Sequence, residues 1–268
     1  MATLATTEAL DLLSRGELDI EGRLVDASNT TLRATVSCDG VTARCVYKPV
    51  RGERPLWDFP DGTLAGREVS AFLVGDATGW SPVPPTVLRD GPYGPGACQL
   101  WIDETDDDED AVALLGFVPA RRVPKGWRRI ASARDENDRP YVLAHADDPR
   151  LARLAALDVV INNADRKGGH VLVADDHVYG VDHGVCFHVD PKLRTVLWGF
   201  VGEPLPDDIA EVLRKLHADL DGTLGEALHE HLTIAEVAEV GARIDMLLRN
   251  GCFPTPTGAW PAVPWPPI

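Results

Sequence analysis

Residues 161–188 read INNADRKGGHVLVADDHVYGVDHGVCFH. Asp165 stands five residues before His170. An apolar run follows, then the polar turn Ala-Asp-Asp at 174–176, then a second apolar run that ends in Asp182-His183-Gly184. Two short apolar runs around a polar turn predict a β-hairpin. Such a hairpin returns the chain to its starting end, so His170 and Asp182 meet there with Asp165 just upstream. Three groups at one end of a hairpin can gather a metal ion and a phosphate. Each alone reads as turn chemistry, because Asp is common in turns for its own backbone bonds.

The flanks extend the pattern. Residues 148–163, DPRLARLAALDVVINN, have the apolar spacing of an amphipathic helix that delivers the chain to Asp165. Upstream, residues 6–15 predict a helix stopped by Gly16. Segments 20–27, 31–38 and 41–48 predict a three-stranded meander, broken by Ser-Asn-Thr-Thr and by Cys-Asp-Gly. Residues 49–62 form a Pro-rich loop, and 63–75 predict a helix with Thr63 as its cap. VPPTVLRDGPYGPGACQLWID, 83–103, gives two strands around a Gly/Pro turn. Residues 111–145 leave a loop and a strand pair equally open. Their stretch FVPARRVPKGWRRIAS is a basic and aromatic patch that either lies free or meets an acidic or phosphorylated partner. Two further helices are predicted, over PDDIAEVLRKLHADL and TIAEVAEVGARIDMLLRN. The second carries Thr233 and Glu236 at capping-box spacing, with Gly251 just past its end. The Pro- and Trp-rich tail reads as an extended segment packed on the body.

Lys48 closes the third strand in CVYKPV, and Lys occurs only five times in the chain. Glu68 lies on the helix that follows. An isolated strand-end Lys is usually a solvent-facing charge, and an isolated helix Glu an exposed one. Together they are placed to pair across a cleft.

Composition bounds the rest. The 268 residues suit one large domain or two lobes. The net charge of −16 opposes nucleic acid and anionic membrane surfaces. No apolar run reaches the roughly 18 residues of a spanning helix. The five Cys are scattered without a CxxC pair, which points to free thiols in a cytoplasmic setting and against structural zinc. The acidic run DETDDDED, 103–110, reads as a solvated loop, since it lacks the Gly and closing Glu of a calcium loop.

NADRKGGHVLV…VYGVDHGVCFH, with Lys48 and Glu68 upstream, resembles the active-site region of the phosphatidylinositol 3-/4-kinase-like branch of the protein-kinase fold. The nearest likeness is to type II phosphatidylinositol 4-kinases. The whole chain is also similar to an uncharacterised actinobacterial family of kinase-related proteins. The resemblance implies an α+β, bilobal protein-kinase-like fold: a β-rich N-lobe over 1–104 and a helix-rich C-lobe over 105–268. It implies ATP-dependent phosphotransfer to a small-molecule or protein hydroxyl. Asp165 would orient or deprotonate the acceptor. Arg166 and Lys167 would sit beside the transferred phosphate or structure the loop. Lys48 would hold ATP phosphates, fixed by Glu68. Ser28 in the DASNTT turn, and Trp101 and Ile102, would contact the nucleotide. Asp182 and His170 would bind Mg2+ or Mn2+.

His170 departs from the branch, which has Asn there. The imidazole favours a softer ion such as manganese, contacts phosphate itself, marks lost catalysis, or simply starts the strand with no metal role. That leaves a nucleotide-binding pseudokinase, or a nucleotidyl transferase on the same fold, as alternatives. His183 and His188 read as structural or substrate-side. Without a polybasic face or a Cys-rich lipidation block, stable membrane anchoring is not expected.

Overall fold

The computed structural model describes residues 4–24, 29–104 and 114–268. Ser28, and residues 105–110 of the acidic run, lie outside the described residues.

The first half is built on antiparallel strands. Helix α1 (Thr6–Arg15) precedes β1 (Glu17–Arg23), β2 (Leu32–Cys38) and β3 (Val41–Pro49). The β2–β3 turn works because Asp39 and Gly40 both take positive φ, 50° and 82°, which a two-residue hairpin of the right twist requires. Helix α2 (Leu64–Ala77) then leads to β4 (Thr86–Gly91) and β5 (Gly94–Leu100), giving the sheet order β1-β2-β3-β5-β4. Alternation along β2 buries Leu32, Ala34 and Val36. The latter two pack against Leu12 and Leu13 of α1 with Cys45 and Cys98. The first strand begins three residues earlier than its sequence pattern suggests.

Residues 114–146 resolve the open choice in favour of strands. β6 (Leu115–Pro119), β7 (Trp127–Arg134) and β8 (Pro140–Ala146) form a second sheet in the order β6-β8-β7. In the connection from β6 to β7 the basic residues Arg121, Arg122 and Lys125 are exposed.

The second half is helical around a central α3 (Pro149–Val160), the hairpin β9 (Val171–Ala174) and β10 (His177–Gly180), α4 (Asp207–Asp219), α5 (Thr223–His229) and α6 (Ile234–Asn250). Nine of the twelve residues of α3 are buried, so this helix is the axis of the main core. Asp148 caps it, accepting from Arg150 N at 2.8 Å. The capping box of α6 forms as expected: Thr233 Oγ1 accepts from Glu236 N at 3.3 Å and Glu236 Oε2 accepts from Thr233 N at 2.8 Å. Glu236 also pairs with Arg67, which is buried on α2, and so ties α6 to the first half. The short helix α5 has no counterpart in the sequence-based expectation; its seven residues hold too few turns to show a period.

Candidate active site

A cleft opens where β3 and α2 face the loop after α3 and the end of the 171–180 hairpin. Asn29, Thr31, Lys48, Glu53, Glu68, Asp165 and Asp182 are among its lining residues.

Lys48 reaches the cleft because strand alternation turns it opposite to Cys45 and Tyr47, both fully buried. Glu68 lies one turn beyond Leu64 on α2, so both face the same opening. Glu68 pairs with Lys48 Nζ through Oε1, and its Oε2 accepts the His183 backbone N–H at 2.9 Å. Lys48 Nζ lies 2.9 Å from Asp182 Oδ1. Burial opposes charge on Lys48, but Asp182 and Glu68 outweigh it and hold the ammonium above its ordinary range. Lys48 in turn pulls the Asp182 carboxyl well below its ordinary range. Burial pushes Glu68 upward against the pull of Lys48.

Two asparagines shape the loop that presents Asp165. Asn162 ends α3 with φ of +51°, a conformation Asn tolerates. Its side chain donates to His188 O and Asp190 O, both at 2.7 Å. Asn163 donates to Asp158 Oδ1 at 3.0 Å and accepts from Asp165 N at 3.0 Å. Asp165 is left half-buried in the cleft, 3.1 Å from Lys167 Nζ.

Arg166 is not beside the cleft. It is fully buried, paired with the fully buried Asp158 at 2.9 Å. Its Nη1 donates to Val181 O at 2.9 Å and His170 O at 3.2 Å. Of the two places open to it, the guanidinium takes the one that structures the loop. A contact with the transferred phosphate is excluded, because every face of it is used inside the protein. Gly180 permits this approach: a Cβ there would stand 2.8 Å from Arg166 Nη2.

The hairpin brings its two ends together as the sequence suggests. Val181 N donates to His170 O at 3.0 Å, and His170 Nε2 lies 3.5 Å from Asp182 Oδ2. Asp182 has φ of +62°, a costly conformation for a residue with a side chain and one that concentrates at functional sites. Burial lowers the His170 pKa, partly offset by Asp182. Among the described residues no group of three or more His, Cys, Asp or Glu forms a metal cluster. His170 and Asp182 therefore offer two donors, and further ligands would have to come from bound oxygen atoms.

Trp101 and Ile102 do not line the cleft. The Trp101 indole donates to Asp103 at 3.1 Å and lies under Arg44. These local partners hold it beyond the end of β5. Sequence reading missed Asp158 and the Glu53 carboxylate. Glu53 accepts from Leu64 N at 3.0 Å and Ala65 N at 2.8 Å, capping α2 inside the cleft. Its only signal is an acid eleven residues before a helix start, which is too loose to find.

The fold is kinase-like. The Golgi casein kinase matches with a TM-score of 0.55 at 14% identity, over 91% of this chain and 74% of that one. It also matches in its form with Mn/ADP bound. Hydra Fam20 with sugar matches at 0.54 and 14% identity, over 91% and 87%. No family model matches the chain. By sequence, it is 48% identical over 261 residues to Protein Rv2133c of Mycobacterium tuberculosis, spanning 95% of this chain and 94% of that one. The chain belongs to the family of Protein Rv2133c. It is also 27% identical over 213 residues to phosphatidylinositol 4-kinase gamma 4 of rice, and the match spans 32% of that longer protein. Among the described residues no helix is long and apolar enough to cross a membrane, and all five Cys are free.

Proposed function

We propose that this protein is an ATP-dependent phosphotransferase acting on a small-molecule or protein hydroxyl. The observation that carries the reading is the contact of Lys48 with both Glu68 and Asp182, in a cleft that Asp165 also lines. Phosphoryl transfer needs a cation on the ATP phosphates, an anion to fix it, a metal ligand and a carboxylate for the nucleophile. Lys48, Glu68, Asp182 and Asp165 fill those roles in that order. The acceptor oxygen bonds to the γ-phosphorus, the bond to the ADP oxygen breaks, and Asp165 takes or orients the hydroxyl proton. Lys167 balances Asp165 before the acceptor binds. Membrane anchoring and nucleic-acid binding are not part of the proposal, because a net charge of −16 opposes both.

His170 and Asp182 suit a divalent ion. Their facing atoms are 3.5 Å apart, a span that two ligands of one ion can share. The imidazole–carboxylate pair favours manganese over magnesium, which prefers all-oxygen shells. The metal would neutralise phosphate charge. The protein's own part is to aim both donors at one point, through the Val181–His170 backbone bond and the strained Asp182. The motif order and the rice relative support kinship with the phosphatidylinositol 3-/4-kinase-like branch.

The test is a thermal-shift titration with ATP, magnesium and manganese in parallel, followed by transfer of γ-labelled phosphate. A saturable, metal-dependent rise in Tm with label transfer is the expected result. Binding without transfer under either metal makes the protein a nucleotide-binding pseudokinase. Transfer of an α-phosphate label makes it a nucleotidyl transferase. No shift at all overturns the reading.

A further inference from the structure

His183 is fully buried in the Asp-His-Gly triplet, between two groups of opposite charge. On one side, Arg166 Nη2 is 2.7 Å from His183 Nε2. A guanidinium carries donors and no acceptor. Arg166 therefore donates, and His183 Nε2 presents a lone pair. On the other side, His183 Nδ1 lies 4.0 Å from Glu68 Oε2. The ring proton therefore belongs on Nδ1, which faces that carboxylate from beyond hydrogen-bond reach.

We infer that His183 is a positioning residue, held by Arg166 as the neutral Nδ1–H tautomer, that joins the Asp165 loop to the Lys48–Glu68 pair. Its effect on rate rests on the phosphotransferase reading; the tautomer does not. The ring makes the connection to Arg166, and the His183 backbone makes the one to Glu68. Arg166 is fixed by Asp158 and holds His170 O and Val181 O, the two ends of the hairpin. Glu68 takes the His183 backbone N–H on one oxygen and Lys48 on the other. A shift of the ring proton to Nε2 would leave Arg166 one acceptor short and turn a lone pair toward Glu68. Both errors propagate to groups that line the cleft. An apolar ring at this position fills the space but accepts nothing from Arg166.

Three variants of the full-length protein separate the Arg166 bond from the volume of the ring. His183→Gln can place an acceptor near the Nε2 position. His183→Asn can place a donor near Nδ1 only. His183→Phe keeps ring volume and supplies neither. The expected order of kcat is wild type, then Gln, then Asn and Phe together. The Phe variant should lose about 10–100-fold, the worth of one hydrogen bond to a charged group. The ATP KM should stay near wild type, since Lys48 itself remains. Equal losses for Gln and Phe overturn the positioning role. 15N spectra of histidine-labelled wild-type protein test the tautomer directly, with the His183 signals assigned by their absence in the Gln variant. A pyrrole-type Nδ1 with a pyridine-type Nε2 is expected. A ring protonated on Nε2 overturns the inference even if a variant fails to fold. Absence of phosphotransfer in the wild type instead sinks the functional reading and leaves the spectral result standing.

Discussion

Lys48 Nζ and Asp182 Oδ1 are 2.9 Å apart although 134 positions separate them in the chain. One comes from the end of a strand in the five-stranded sheet, the other from the end of a hairpin in the helical half. Glu68 completes the triangle with a side chain only 3% exposed. That burial sets the stability cost of breaking it. Lys48→Met leaves Glu68 buried without its partner, which should cost about 3–5 kcal/mol. Lys48→Met/Glu68→Met removes both charges and should recover a large part of that loss. Urea unfolding of the two variants checks this, and a double variant less stable than the single one refutes it.

Asp165→Asn should leave nucleotide binding intact and abolish transfer. The amide keeps the shape of the side chain and loses the proton acceptor, a role worth about 10²–10⁴-fold in rate. The ATP-induced rise in Tm should match wild type within error. A variant that transfers phosphate at the wild-type rate removes Asp165 from the mechanism.

Local spacing made much of this site readable. Asp165, His170 and Asp182 are joined by one hairpin, so their meeting follows from strand period and turn chemistry. Lys48 is conspicuous because the chain is poor in Lys, but its pairing with Glu68 is readable only through the kinase resemblance. Arg166 was only half readable, because its role depends on Asp158. That acid stands among buried apolar residues of α3 and has no local mark of its own. The same limit applies to Trp101, whose path is set by Asp103 and Arg44. It applies as well to the β6–β8–β7 sheet, where polar alternation is too weak to separate an exposed strand from a loop.

Asp158 supplies the third prediction. Asp158 and Arg166 are both fully buried, and Thr195 Oγ1 and Asn163 Nδ2 donate to the same carboxylate. Asp158→Ala strands the guanidinium and should cost about 3–5 kcal/mol. Asp11→Ala is the comparison: its pair with Arg15 is exposed on both sides and should cost less than about 1 kcal/mol. Similar denaturation midpoints for the two variants would show the buried pair to be expendable.

The cap of α3 gives a pH dependence. Asp148 is mostly buried, and its carboxyl lies below its ordinary value, chiefly through the Arg150 side chain. A carboxylate whose pKa is depressed on folding stabilises the fold fully above its unfolded value, about 3.9. That contribution is lost as pH falls through the lower folded value. Asp148→Asn should therefore lower Tm by a constant amount above about pH 5, and the difference should close on acidification. A gap that widens below pH 4 contradicts the assignment.

Lys192 fastens the loop between β3 and α2 to the segment that follows Asp182. Its side chain is only 5% exposed, and Nζ is 2.8 Å from Asp58 Oδ2. The rings of Trp260, Phe59 and Trp57 surround it, with centroids 4.7, 5.4 and 5.5 Å from Nζ. Two separate segments, 57–59 and the one carrying Trp260, thus converge on one buried cation. The loop it holds also carries Glu53, whose carboxylate caps α2 at Leu64 and Ala65. Lys192→Met keeps the aliphatic stem but leaves Asp58 unpaired, with a cost of about 3 kcal/mol. Asp58→Asn weakens the same pair from its more exposed side and should cost less. Release of the loop should loosen the cap as well. Hydrogen exchange at Leu64 and Ala65 should therefore quicken in Lys192→Met, while exchange in the buried strand β2 follows only the global loss of stability. Unchanged protection at Leu64 and Ala65 in that variant would show that the loop is held by its backbone path, and that Lys192 is a passenger.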